Sequence, residues 1–252
     1  MSRWIAGLDQ PGEIRLVCLP HAGGGSRAYR PWQAALAPGI AVCPALLPGR
    51  EGRWSEPAAT RMAQLVEPLA EALAAADRRP LAIFGHSMGA AVGYALACRL
   101  AADPQAPTPI RLLVSGRPAP QLRPRLSPAH ALPTPAFVQR LRSLNGTPSE
   151  VLAEQALLAA LLPTLRADFA VNETYRPEPG TRLDVPVTAF GGIADPLAEP
   201  DELLAWREVT RGPFELRLFD GDHFYLNADP DPLLGAIRAA LAPAVESQAA
   251  LR

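Results

Sequence analysis

The stretch Leu81-Ala82-Ile83-Phe84-Gly85-His86-Ser87-Met88-Gly89 decides how the rest of this chain is read. Its first four residues form a short apolar run suited to a buried strand, and Ala90 to Leu100 downstream is an Ala-rich helical stretch. A serine between two glycines at a strand-to-helix junction is the pattern of a nucleophile elbow. So sharp a turn leaves room only for glycine-sized neighbours and pushes the serine hydroxyl out beyond the sheet. It also sets the first amides of the following helix beside that hydroxyl, where they favour negative charge. Ser87 is therefore the candidate nucleophile, and acyl transfer is the chemistry to test against the remaining residues.

Composition narrows the classes. The chain has 252 residues, 48% of them hydrophobic and 19% charged, with a formal net charge of −1. That balance supplies a large core and gives no global reason to expect a nucleic-acid partner. Every basic residue is arginine; there is no lysine. Cys18, Cys43 and Cys98 are scattered without metal-ligand spacing and read as small buried hydrophobes in a reducing compartment. No apolar stretch has the length or the flanks of a secretory signal or a membrane span, so a cytoplasmic protein that does not engage a membrane is expected.

Working outward from the elbow, strands are expected at 13–19, 40–46, 110–115, 185–190 and 214–219, with helices near 31–36, 62–76, 202–209 and 231–241. Strands alternating with helices define an α/β chain with a mostly parallel sheet flanked by helices. Residues 117–182 break the rhythm. A proline-rich opening (Pro118, Pro120, Pro124, Pro128, Pro133, Pro135) leads into helical pieces at 136–144, 149–162 and 164–174. An insertion without a strand of its own is expected to cover the C-terminal edge of the sheet as a helical lid within a single domain spanning 1–252.

A serine nucleophile needs a base and the base needs an orienting acid. His223 lies in Asp220-Gly221-Asp222-His223-Phe224, after the last strand, where the chain order Ser, acid, His places it. Asp195 follows the strand at 185–190 and is preferred as the acid over Asp184, Asp201 and Asp222. Met88 directly after the nucleophile, and Ala22 in the loop His21-Ala22-Gly23-Gly24-Gly25, are the candidate oxyanion-hole donors. A phosphate-cradle reading of that loop fails because the chain has no lysine to complete it. Of the other histidines, His86 is expected to pack structurally, His21 to shape the glycine-rich loop and His130 to be solvated.

With these parts in place, the chain resembles the type II thioesterases of polyketide and nonribosomal peptide biosynthesis. The resemblance rests on Leu19-Pro20-His21-Ala22-Gly23-Gly24, Leu47-Pro48-Gly49-Arg50, Gly85-His86-Ser87-Met88-Gly89, Ser115-Gly116-Arg117, Gly191-Gly192 with Asp195, and Gly221-Asp222-His223-Phe224. It implies the α/β-hydrolase fold and a free-standing serine hydrolase that clears aberrant acyl groups from the phosphopantetheine arms of acyl or peptidyl carrier proteins. No metal or redox cofactor is expected, since phosphopantetheine enters only with the substrate, and a monomer is the default. Arg50 to Trp54 is similar to the family's arginine-rich segment and is given no catalytic role. The alternatives are a general carboxylesterase on soluble esters and an inactive hydrolase-fold binding scaffold.

Two further expectations concern the insertion. Arg117, Arg123 and Arg125 open a stretch, 117–142, that has arginines and no acidic residue, a candidate docking face for an acidic carrier protein. Phe137, Leu141 and Phe169 are candidates to line an acyl channel, against the plainer reading that they are core.

Overall fold

The computed structural model describes residues 2–250, so the expected domain limits at 1 and 252 lie outside the described residues. Six strands form one sheet: β1 (Ile14–Leu19), β2 (Ile40–Pro44), β3 (Leu81–His86), β4 (Pro109–Ser115), β5 (Val187–Gly192) and β6 (Phe214–Phe219). Their order is β2-β1-β3-β4-β5-β6, and every pairing is parallel. Parallel neighbours require crossovers, and helices supply them on both faces. The architecture expected from the sequence is the one observed.

Alternation along β1 shows how the faces are filled. Ile14, Leu16 and Cys18 join Trp32, Phe84, Leu233 and Ile237 on one side of the sheet. Val17 and Leu19 join Leu65, Leu69, Val92 and Leu96 on the other. The covering helices are α1 (Trp32–Leu36), α2 (Ala63–Ala74), α3 (Met88–Ala101) and, near the C-terminus, α9 (Asp231–Ala249). Each fully buried Leu, Ile, Val or Phe contributes about 1.5–3 kcal/mol. Burial also pushes the Cys43 thiol up to about 12, so it behaves as a small hydrophobe.

Helix α3 begins unusually close to the sheet, and two glycines make this possible. A Cβ on Gly89 would sit 2.0 Å from the Leu19 carbonyl oxygen, and one on Gly85 would sit 2.0 Å from the Gly89 carbonyl oxygen. Neither distance is compatible with any side chain. Between them Ser87 has φ +55°, a conformation that non-glycine residues rarely adopt.

The insertion at 117–182 carries α4 (Thr134–Leu144), α5 (Ser149–Ala153) and α6 (Gln155–Thr174) and contributes no strand to the sheet. A helix boundary was expected at Pro163, but α6 runs through it. The chain instead breaks at Glu154, whose extended backbone starts α6 and whose side chain accepts the Ala156 N–H. Pro163 forfeits one bond to the carbonyl of Ala159, which lies at an exposed position open to solvent. Leu161, Leu162, Leu165 and Phe169 pack against Phe137 and Leu141 of α4, and this packing holds the helix together across the proline. The helix expected over 202–209 is split: α7 (Pro200–Leu204), opened by a Glu199–Glu202 capping box, passes into a 3-10 turn at Ala205–Val209. A one-turn helix, α8 (Tyr225–Ala228), precedes α9. No helix among the described residues is long and apolar enough to cross a membrane.

Two glycines separate space from propensity. Gly89→Ala is expected to cost more than about 2 kcal/mol through overpacking. Gly235→Ala, in α9 with nothing within 4 Å of its Cβ position, should instead stabilise by about 0.5–1 kcal/mol. Urea unfolding of the two variants against the parent checks the pair, and equal effects would contradict the close approach at the elbow.

Candidate active site

The expected site residues converge at the C-terminal ends of β1, β3, β5 and β6. Ser87 and His223 both line a cavity of about 1090 Å³. The Ser87 N–H donates to the Ser115 carbonyl at 2.8 Å, which fixes the elbow against the end of β4. Asp195, 4% exposed, sits in a tight turn beyond β5 and its Oδ2 is 2.8 Å from Nδ1 of His223. Its Oδ1 accepts the Leu197 N–H at 2.8 Å, so both oxygens are engaged and the carboxylate is held in one orientation. The β5 and β6 loops are clipped together: Ile193 N–H donates to Phe219 O and Ala194 N–H to Gly221 O. Gly192 permits this, because a Cβ there would lie 2.3 Å from the Asp222 carbonyl oxygen.

The rival acids are occupied elsewhere. Asp184 is exposed and pairs with Arg211. Asp201 lies exposed in the first turn of α7. Asp222 accepts the Phe224 N–H, a local turn contact. Geometry therefore leaves Asp195 as the carboxylate on His223.

Two of the other histidines, His21 and His86, pack in the cluster of rings around the base. His86 is 1% exposed, its Nδ1 lies 2.9 Å from Ser115 Oγ, and that hydroxyl lies 2.8 Å from the Tyr225 hydroxyl. Its ring is 4.9 Å from that of His223. Burial, with the charges of His223 and His21 adding to it, holds His86 well below the usual histidine range. His21 packs edge-on against Phe224 at 5.1 Å and is lowered to about 4, first by burial and then by the His223 and Arg50 charges. Both rings stay neutral at neutral pH, so neither sets a positive charge beside His223. His130, expected to be solvated, is instead tied to Glu173 of α6 at 2.6 Å.

Ala22 lines the cavity and Met88 is the first residue of α3, where helical N–H groups lack intrahelical acceptors. What secures the glycine-rich loop is a buried ion pair that sequence reasoning missed. Arg50 and Asp168, 8% and 2% exposed, form a two-pronged contact, with Nη2 2.6 Å from Oδ1 and Nη1 2.8 Å from Oδ2. Asp168 Oδ2 also accepts the Gly23 N–H at 2.7 Å, and Arg50 Nη1 donates to Gly24 O at 2.9 Å. Arg50 has no contact with the reacting groups on this geometry; with Asp168 it positions the loop that carries Ala22. On the far side Glu51 accepts from the Ser26 and Arg27 amides and the Ser26 hydroxyl. No local signal marks Asp168, since its partner lies 118 residues away.

The channel and docking candidates divide. Leu141 and Phe169 line the cavity. Phe137 is fully buried, with Phe169 at 5.2 Å on its edge and the Arg166 guanidinium 4.4 Å from its ring, so it supports the wall from behind. Arg123 is exposed. Arg125 is already paired with Glu199 and Glu202, which uses up its charge. Arg117 is half-buried at the cavity wall rather than on an outer face.

The parallel sheet, the elbow and the cavity above it define a serine hydrolase of the α/β-hydrolase fold. The chain belongs to the thioesterase domain family, whose model matches residues 14–241. It is 40% identical to the gramicidin S biosynthesis protein GrsT of Aneurinibacillus migulanus over 90% of this chain and 89% of that one. It is 41% identical to the thioesterase PikA5 of Streptomyces venezuelae over 85% of this chain and 76% of that one. The solved structure of the type II thioesterase BorB from the borrelidin biosynthetic cluster superposes with a TM-score of 0.83 at 38% identity, covering 95% of this chain and 96% of that one.

Two predictions follow the geometry. Asp168→Ala leaves Arg50 buried and unpaired and should cost about 3–5 kcal/mol of stability, with a kcat loss of about a hundredfold as the loop donor shifts. Chemical unfolding and steady-state kinetics on the same sample check both, and an unchanged kcat would contradict the positioning role. Because folded His86 resists protonation, the unfolded chain binds more protons below its own value of about 6.5. Stability is therefore fully present above that pH and falls on acidification, by up to about 1.36 kcal/mol per pH unit per histidine. Urea midpoints measured from about pH 7 down to about pH 5 should decline; a flat profile would contradict the buried neutral ring.

Proposed function

We propose that this chain hydrolyses acyl thioesters carried on the phosphopantetheine arm of carrier proteins, removing stalled or aberrant acyl groups during polyketide or nonribosomal peptide assembly. The observation that carries the reading is the oriented His223–Asp195 pair opening onto the same cavity as Ser87. The relatives' names support the substrate class.

In this reading Ser87 Oγ attacks the thioester carbonyl carbon and its proton passes to His223 Nε2. Asp195 fixes the imidazole tautomer and stabilises the imidazolium. The Met88 and Ala22 amides hold the tetrahedral oxyanion. The carbon–sulfur bond then breaks, and the carrier thiol leaves with the proton from His223. A thiol pKa of about 8.5 makes this departure undemanding compared with an amine. Water attacks the acyl-serine, giving its proton to His223, and Ser87 is regenerated with release of the free acid. The mechanism calls on these residues and water alone. Residues 117–182 act as the lid over the acyl chamber, and of the three docking candidates Arg123 is the one left open to an acidic carrier.

Turnover of acetyl- or propionyl-loaded carrier protein, beside the matched oxyester, tests the reading. Carrier thioester hydrolysis should exceed oxyester hydrolysis, and Ser87→Ala should lower it by about a millionfold, to background. Faster oxyester turnover would make the chain a general esterase, and no Ser87-dependent turnover of either would make it a binding scaffold.

A further inference from the structure

The cavity changes character along α6. Leu165, Phe169 and Asn172 line it from one helical face, joined by Glu173 and, just beyond the helix end, by Tyr175 and Arg176. Leu141 and Leu144 of α4 extend the apolar half, and Arg117 belongs to the polar one. Arg117 reaches α6 by a guanidinium hydrogen bond from its Nη1 to Asn172 Oδ1. Its backbone is pinned, the Arg117 carbonyl accepting the Trp206 indole N–H at 2.8 Å. Its Nε is buried without any partner, and its contact on α6 is to the amide oxygen of Asn172, which carries no charge. Burial lowers its pKa to about 10, with Tyr175 opposing the shift and the Arg176 charge adding to it. An unpaired buried donor is costly unless a ligand acceptor completes it.

Position identifies which part of a ligand that is. The neighbouring Gly116 abuts the base, with its Cβ position 3.2 Å from His223 Cε1. His223 is the group that returns a proton to the departing sulfur, so the leaving-group arm passes on this side while the acyl group takes the apolar half. We propose that Arg117 and Asn172 form a binding site for an amide carbonyl of the pantetheine arm. This rests on the thioesterase reading above. The donors fit: the remaining guanidinium N–H groups and the Asn172 amide NH₂ can all donate, and the arm's amide oxygens accept. A charged donor fork strengthens such bonds and fixes the arm's direction.

The experiment compares kcat/KM for acetyl thioesters of pantetheine, of N-acetylcysteamine and of ethanethiol, which carry two, one and no amides. The parent should prefer pantetheine over ethanethiol. Arg117→Met should reduce that preference about ten- to hundredfold, with partial recovery in Arg117→Lys. Asn172→Asp, which sets a carboxylate on the guanidinium and keeps Arg117 in place, should reduce it too and decides the matter if Arg117→Met does not fold. A loss already seen with N-acetylcysteamine assigns the amide nearer the sulfur; one confined to pantetheine assigns the farther. No preference in the parent, or a preference unchanged in the folded variants, would overturn the proposal. Turnover of all three that survives Ser87→Ala would instead overturn the reading beneath it.

Discussion

The close approach of helix α3 to the end of β1 is the constraint on which the rest of this structure depends. Gly89 leaves no room between the helix and the Leu19 and Pro20 carbonyls, where a Cβ would meet oxygens at 2.0 and 2.8 Å. Because Pro20 leads directly into the glycine-rich loop, that contact brings the first turn of α3 beside Ala22. One packing decision thus supplies the exposed serine, the helix N-terminus behind it and the second amide. Ser87 is held at positive φ to satisfy it, a local strain maintained by the buried strand and helix on either side.

The second layer of organisation is electrostatic. Arg50 and Asp168 join the loop after β2, the glycine-rich loop and α6 in one buried, fully hydrogen-bonded contact. A buried ion pair of this kind adds little net stability but is expensive to break, so it acts by fixing an arrangement. Here it fixes α6, which lines the cavity, to the glycine-rich loop, which in the proposed mechanism receives the developing oxyanion. Movement of α6 and the electrostatics of the reaction are therefore mechanically linked. The neutral His21 and His86 rings complement this by adding no positive charge of their own beside His223.

Much of this was legible in the sequence, for reasons specific to each element. Strands β1 to β5 are mostly apolar runs bounded by Gly, Pro or polar residues, the signature of buried parallel strands, whereas the edge strand β6 alternates apolar residues with Glu215 and Arg217 and is only half-buried. Ser87, Asp195 and His223 follow from their position after strands, since chemistry gathers at that edge of a parallel sheet. Helix ends were less legible. Pro163 is a strong local stop, and only the packing of Leu165 and Phe169 onto Phe137 and Leu141 explains why α6 ignores it. Asp168 left no trace because an ion pair between distant residues has no spacing to read. Phe137 and Phe169 have the same residue type and lie on helices that pack together, yet only the fold shows that one faces the cavity and the other supports it. The arginines of the insertion differ in the same way: Arg125 is neutralised by carboxylates more than 70 residues away, while Arg117 turns inward.

The most direct test of the account is rapid quenching of the enzyme with acetyl-loaded carrier protein, followed by peptide mass spectrometry. The elbow geometry predicts an acetyl group on the peptide containing Ser87, formed as the carrier thiol is released and before free acetate accumulates. Acetate released without a covalent intermediate, or an acetyl group on any other side chain, would contradict it.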